Sequence, residues 1–188
     1  LFHLNNIILH GVNAVLFYIF LYKTLKQLHV IDLIRTYRTI SFSIPFIAAT
    51  IFAVHPVHTE SVAGIVGRAD LLYSFFVLSA MLSRCLTSSC NNLAIVATLS
   101  FLAVLSKEQG IMLMPIIVVN EILIWTFYQD HANKPSIFMR IIDNLPWKRL
   151  VIYISILLFL LYGRLWIMDF RQPTFQEGDN PTAFLNTS

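Results

Sequence analysis

The run LVIYISILLFLLYGRLWI, residues 150–167, decides the fold. Only Arg164 interrupts it with a charge, and that falls close to its end. At about 1.5 Å of rise per residue, such a helix crosses most of a hydrocarbon core of about 30 Å. Five more apolar runs surround it, at 2–22, 40–54, 71–84, 92–106 and 111–128, each flanked by charged or turn residues. Of the 188 residues 57% are hydrophobic and 12% charged, and the mean hydropathy is +0.71. That is too apolar for one water-facing domain of this size. The expected fold is therefore all-α, a polytopic transmembrane helical bundle with about six spans.

Two runs, 71–84 and 92–106, are shorter than the roughly 20 residues that a full crossing asks for. Either flanking polar residues extend both helices, or the pair is tilted and partly shielded, or it forms a re-entrant hairpin. The polar stretch from Arg84 to Asn92 reads as a surface connection, which favours two full helices.

If the spans alternate, Lys23, Lys26, Arg35, Arg38, Arg84, Lys134, Arg140, Lys148 and Arg149 gather on one side. Arg68, Lys107, Arg164 and Arg171 gather on the other. The richer side is cytoplasmic by the positive-inside rule. Both termini and the segments 55–70, 106–110 and 168–188 then face away from the cytoplasm. That face also carries Glu60, Asp70, Glu108, Asp169, Glu177 and Asp179.

The net charge of +3 thus reads as a topology signal. There is no basic run interleaved with aromatics, so no nucleic-acid partner is expected. Cys85 and Cys90, placed in the cytoplasmic turn, give neither a disulfide framework nor a zinc site.

Polar residues inside the spans need partners. His3, Asn6, His10 and Asn13 fall on one face of the first helix, directed into the bundle or a wet cavity. They either glue helices together by hydrogen bonds or meet a substrate. Glu121, beside Asn120 in the fifth run, is either a functional carboxylate or one that shares a proton with a nearby Tyr or Asn.

The densest ionisable segment is HPVHTESVAGIVGRAD, 55–70. Pro56 suits a first helical turn, and Val62, Ile65 and Val66 would form the apolar stripe of a short interfacial helix. His55, His58 and Glu60 do not match the helical HExxH arrangement, so no metal is expected. Arg68 and Asp70 either form a local salt bridge or serve a ligand. Lys107 and Glu108 of the 106–110 segment lie on the same side, as does Arg164. Three cations at one interface suit a phosphate-bearing ligand, with snorkelling as the bland alternative for Lys107 and Arg164.

The strings FHLNNIILHGVNAVL (2–16), HPVHTESVAGIVGRADLL (55–72), LSKEQGI (105–111) and FQEGDNPTAF (175–184) resemble the transmembrane and tetratricopeptide-repeat family of protein O-mannosyltransferases. The resemblance implies a multispanning endoplasmic-reticulum enzyme of the GT-C glycosyltransferase class. It implies transfer of mannose from dolichyl-phosphate mannose to Ser or Thr of secretory-pathway proteins such as cadherins, with no cofactor firmly required and a divalent metal not expected. Residues 1–167 would be part of the transmembrane domain and 168–188 the start of a lumenal segment. The family's catalytic acidic motif would lie upstream of Leu1, and its tetratricopeptide repeats beyond Ser188.

An inverting transfer from a phosphate-linked sugar needs a carboxylate for the acceptor proton and cations for the leaving phosphate. Arg68, Lys107 and Arg164 are the expected phosphate side. His58, Glu60, Asp70 and Glu108 would orient them or contact mannose, while His55 would start the loop helix. Asp179-Asn180-Pro181 reads as a turn, and Asn186-Thr187-Ser188 as a glycosylation acceptor on the lumenal side. Two other classes compete. A non-catalytic scaffold for client proteins would lack the upstream acid, and a transporter would use Glu121 but would usually show an internal repeat, which this sequence does not.

Overall fold

The computed structural model describes residues 2–28, 38–86, 90–130 and 147–169, and within them every regular element is helical. Helices occupy all six apolar runs. They are α1 (Phe2–Gln27), α2 (Arg38–Val54), α4 (Arg68–Leu86), α5 (Cys90–Ser106), α6 (Leu113–Asp130) and α7 (Trp147–Ile167). A 3-10 turn, Pro56–His58, runs into the short α3, Thr59–Ala63, and a second 3-10 turn, Glu108–Met112, links α5 to α6.

Four helical stretches are long and apolar enough to cross a membrane: His3–Gln27, Arg68–Leu86, Glu108–Trp125 and Trp147–Ile167. Ile44–Val54 and Asn92–Ser106 are shorter apolar helices. Flanking residues do lengthen the third run, because Arg68, Ala69 and Asp70 join its helix.

Burial follows the reverse of a water-soluble plan. Leu4, Ile7, Val12 and Val15 of α1 and Leu158, Phe159 and Trp166 of α7 point outward, apolar and exposed. Exposed hydroxyls on these helices are quenched locally. Thr50, Thr98 and Ser155 each donate to the carbonyl four residues back, at 2.8, 2.9 and 2.8 Å. A hydroxyl tied to its own helix can face hydrocarbon without an unmet hydrogen bond.

Within the bundle, α4 packs against α1 on one side and α5 on the other, α2 packs on α1, and α6 packs on α7. The apolar seam runs through α4 to α7, with Ala80, Val96, Ala103, Leu113, Ile117 and Tyr153 buried. The helices approach most closely where side chains vanish. A Cβ on Gly110 would overlap the Ala103 backbone, so the 108–112 turn can lie flush on α5 only because residue 110 is glycine.

The loop helix differs from its sequence expectation. Pro56 takes the first turn as expected, and His55 starts it by accepting from the Val57 amide at 3.2 Å. But α3 stops at Ala63, where Gly64 turns extended. Ile65 and Val66 therefore fall outside the helix, 71% and 87% exposed, and the stripe with Val62 does not form. Gly67 then passes against Ser61 at a distance no Cβ would tolerate, which folds the loop back onto the start of α4. The 168–188 segment beyond Asp169, with its Asp179-Asn180-Pro181 turn and Asn186 acceptor, lies outside the described residues, as do Arg171, Glu177 and Asp179.

Candidate functional site

The polar stripe of α1 is what holds the 55–70 loop. Asn6 is fully buried and donates to the carbonyls of Val62 at 3.1 Å and Gly64 at 3.2 Å. Those carbonyls sit where the loop leaves helical geometry, so a side-chain amide supplies the donor the backbone lacks. Asn13, also fully buried, donates to the Leu71 carbonyl at 2.9 Å. His10 Nε2 lies 3.0 Å from the Ala53 carbonyl at the end of α2. Three members of the stripe thus bond backbone across the bundle; His3 stays exposed.

Above this frame sits an aromatic cluster. The His58 ring lies 5.0 Å from His10, 4.5 Å from Phe52 and 6.3 Å from His55, centroid to centroid. Partial burial is the main cause holding the His58 imidazole below its ordinary 6.5, and the neighbouring His10 and His55 add to it. The ring is therefore neutral at pH 7.

The expected charges converge at this end, in pairs that sequence spacing did not specify. Asp70 is bound not by Arg68 but by Lys107, across from α4 to the α5–α6 link. Arg68 Nε instead donates to Asn6 Oδ1 at 3.2 Å, so the local Arg68–Asp70 bridge does not form. Arg164, near the end of α7, is bound to Glu108. Lys107 and Arg164 remain about one third exposed, at 33% and 29% of their side chains. One carboxylate takes at most two of a guanidinium's five donors, so Arg164 keeps capacity for a second anion. Glu60 stands exposed on α3, and no interaction through its side chain draws it into the pairs.

Glu121 has neither of its two expected settings. It lies at the opposite end of the bundle, 3% exposed, bound by Arg84 and reached by Arg149 Nη1 at 3.1 Å. Its charge is balanced by two arginines, not relieved by a proton shared with Tyr or Asn. Arg84 is itself buried on α4 and does not belong to a surface turn. Cys85, next to it, is a buried free thiol 3.5 Å from Thr24 Oγ1. The signal was present in the sequence: an apolar helix that carries a carboxylate needs a counter-charge at the same depth. Arg84 and Arg149 are the basic residues that close the adjoining helices there.

Between α1, α3 and α4, beneath the loop, lies a cleft of about 270 Å³ lined by His10, Asn13, His58, Ser61, Asp70 and Tyr73 among others. A second groove, of about 380 Å³ and almost wholly apolar, runs between α1 and α2 past Tyr18, Phe46 and Ala53. Among the described residues no three His, Cys, Asp or Glu side chains are grouped to hold a metal ion.

Fold and site together define a helical protein with several membrane-length helices, one end of which gathers histidines, paired charges and a polar cleft. The chain is homologous over nearly its whole length to the TMTC family of protein O-mannosyl-transferases, and belongs with them. It is 36% identical over 187 residues to the protein O-mannosyl-transferase F38B6.6 of Caenorhabditis elegans, which covers 99% of this chain and 22% of that protein. It is 34% identical over 198 residues to human TMTC3, covering 97% of this chain and 20% of the relative. With Tmtc3 of Drosophila melanogaster the identity is 34% over 172 residues, 76% of this chain and 19% of the relative. The chain thus spans about a fifth of the length of these relatives. No family model and no solved structure matches it.

Proposed function

We propose that this chain is part of the membrane domain of a protein O-mannosyltransferase of the endoplasmic reticulum, GT-C-like and crossing the bilayer six times. The His58 end faces the lumen. The whole protein transfers mannose from dolichyl-phosphate mannose to Ser or Thr of secretory-pathway proteins such as cadherins. Its base is an acid upstream of Leu1, and tetratricopeptide repeats follow the membrane domain.

The observation that carries this reading is the meeting of Lys107, Arg164, Asp70 and Glu108 at one end of a bundle homologous to O-mannosyl-transferases. Lys107 and Arg164 are partly exposed cations oriented by carboxylates, a state ready to take a leaving phosphate without reorganisation. Arg68 supports the loop from the same end and His58 lines the cleft beside it, with Glu60 exposed on α3. The competing scaffold reading rests on the same pairs: each of Lys107 and Arg164 already has a carboxylate, which suffices for a purely structural role.

The test is mannose transfer to a cadherin-domain acceptor by the full-length protein in membranes. Lys107→Met and Arg164→Met should each lower turnover by roughly tenfold or more with insertion unchanged. Unaltered transfer by both variants would remove them from the phosphate, and no transfer even by wild type would favour the scaffold.

A further inference from the structure

The turn that joins α3 to α4, through Gly64, Ile65, Val66 and Gly67, keeps its backbone to the protein and its side chains to the outside. Gly67 is buried and Gly64 half-buried, whereas Ile65 and Val66 stand exposed. The carbonyls of Val62 and Gly64 accept from the Asn6 amide. Those of Ile65, Val66 and Gly67 accept from the backbone amides of Arg68, Ala69 and Asp70, at 3.5, 3.2 and 3.1 Å. The Gly64 amide donates to the Glu60 carbonyl at 2.8 Å. A loop in water can leave such carbonyls to solvent, but irregular backbone next to hydrocarbon has to be satisfied by protein.

Asn6 also fixes the level of the turn. Helical rise puts Leu4, Ile7 and Ile8 within about 3 Å of Asn6 along the α1 axis, and all three are exposed aliphatics. His3 and Asn5, exposed at the same level, are polar. A mixed ring of this kind belongs at the boundary between headgroups and acyl chains. Ile65 and Val66 therefore continue the outward aliphatic surface of α1 at that boundary. Two aliphatic side chains fall far short of the roughly 800 Å² per partner of a standard protein interface, whereas lipid takes single side chains.

We propose that this turn is a lipid anchor, with Ile65 and Val66 dipping from the headgroup region into the acyl chains of the lumenal leaflet. The inference rests on the membrane reading above and adds a second point of contact beside the spans. The sequence pattern placed Val62 in the same surface; it lines a groove with His10, Ala53 and His58 instead. Because Val57, His58 and Ser61 of the same loop line the cleft, the anchor sets the height of the cleft against the membrane surface.

The experiment places a fluorescent amino acid, genetically encoded, in place of Val66 in the full-length protein, reconstituted in phosphatidylcholine vesicles. The same residue replaces Ile8, Phe159 or Glu60 in reference proteins. Lipid brominated in the upper acyl chain quenches from the hydrocarbon and iodide quenches from water. Position 66 should be quenched by brominated lipid about as strongly as position 8, and several-fold less by iodide than position 60. Position 65, also exposed, should repeat the result. Iodide quenching equal to that at position 60 would overturn the anchor by placing the turn in the lumen. Quenching by neither agent would overturn it too, by showing the turn covered with protein. Brominated lipid that quenches positions 8 and 159 but not 66 leaves the membrane reading standing, and failure at all three positions brings down both.

Discussion

Arg84, in the last turn of α4, and Glu121, in the middle of α6, form a buried ion pair that fastens two helices far apart in sequence. Arg149, in the first turn of α7, closes the carboxylate's other oxygen. Removing one partner strands the other's charge away from water. Glu121→Gln should therefore cost about 3–5 kcal/mol of stability. Replacing the pair together, as Arg84→Met with Glu121→Leu, should recover much of that loss. Thermal unfolding of the purified protein in detergent checks both, and additive losses in the double variant would mean that the two side chains are not coupled.

The glycines give a contrast within one molecule. Gly110→Ala forces a methyl into the Ala103 backbone and should destabilise by roughly 1–3 kcal/mol. Gly163→Ala meets nothing within 4 Å and lies in a helix, so it should be neutral or stabilising by up to about 1 kcal/mol. Melting temperatures of the two variants, measured side by side, should move in opposite directions or differ clearly in size.

His58 supplies a pH dependence of known sign. Its folded-state pKa is lowered beneath 6.5 by burial, with His10 and His55 adding to it, so the folded form holds the ring neutral. The unfolded chain binds the proton more readily, and the contribution to stability is full above 6.5 and is lost as pH falls through the folded-state value. Lowering pH from 7 to 5 should reduce the melting temperature less in His58→Gln than in wild type. An equal acid sensitivity in both would assign the effect to other groups.

Much of the fold could be read from apolar run length alone, because helices rise where the runs lie and their ends fall near the flanking charges. The α1 stripe was legible for the same reason: Asn6, His10 and Asn13 recur at helical spacing. Pairing was not legible. Asp70 lies two residues from Arg68 and thirty-seven from Lys107, yet binds Lys107, because the backward fold at Gly67 turns Arg68 toward Asn6. The end of α3 was missed because Gly64 adopts an extended backbone, φ −80 and ψ 148, that an apolar spacing pattern does not encode.

The ion pairs are unevenly distributed, and that has a mechanical consequence. Asp70 to Lys107 and Glu108 to Arg164 rivet one end, and Arg84 to Glu121 to Arg149 rivets the other, so α4 through α7 form a braced frame. On the far side of the cleft, α2 packs principally on α1, through the His10 bond to Ala53 and the Phe52 ring against His10, Phe17 and His58. The chain is thus cross-braced by charge on one side of the cleft and held by neutral contacts on the other.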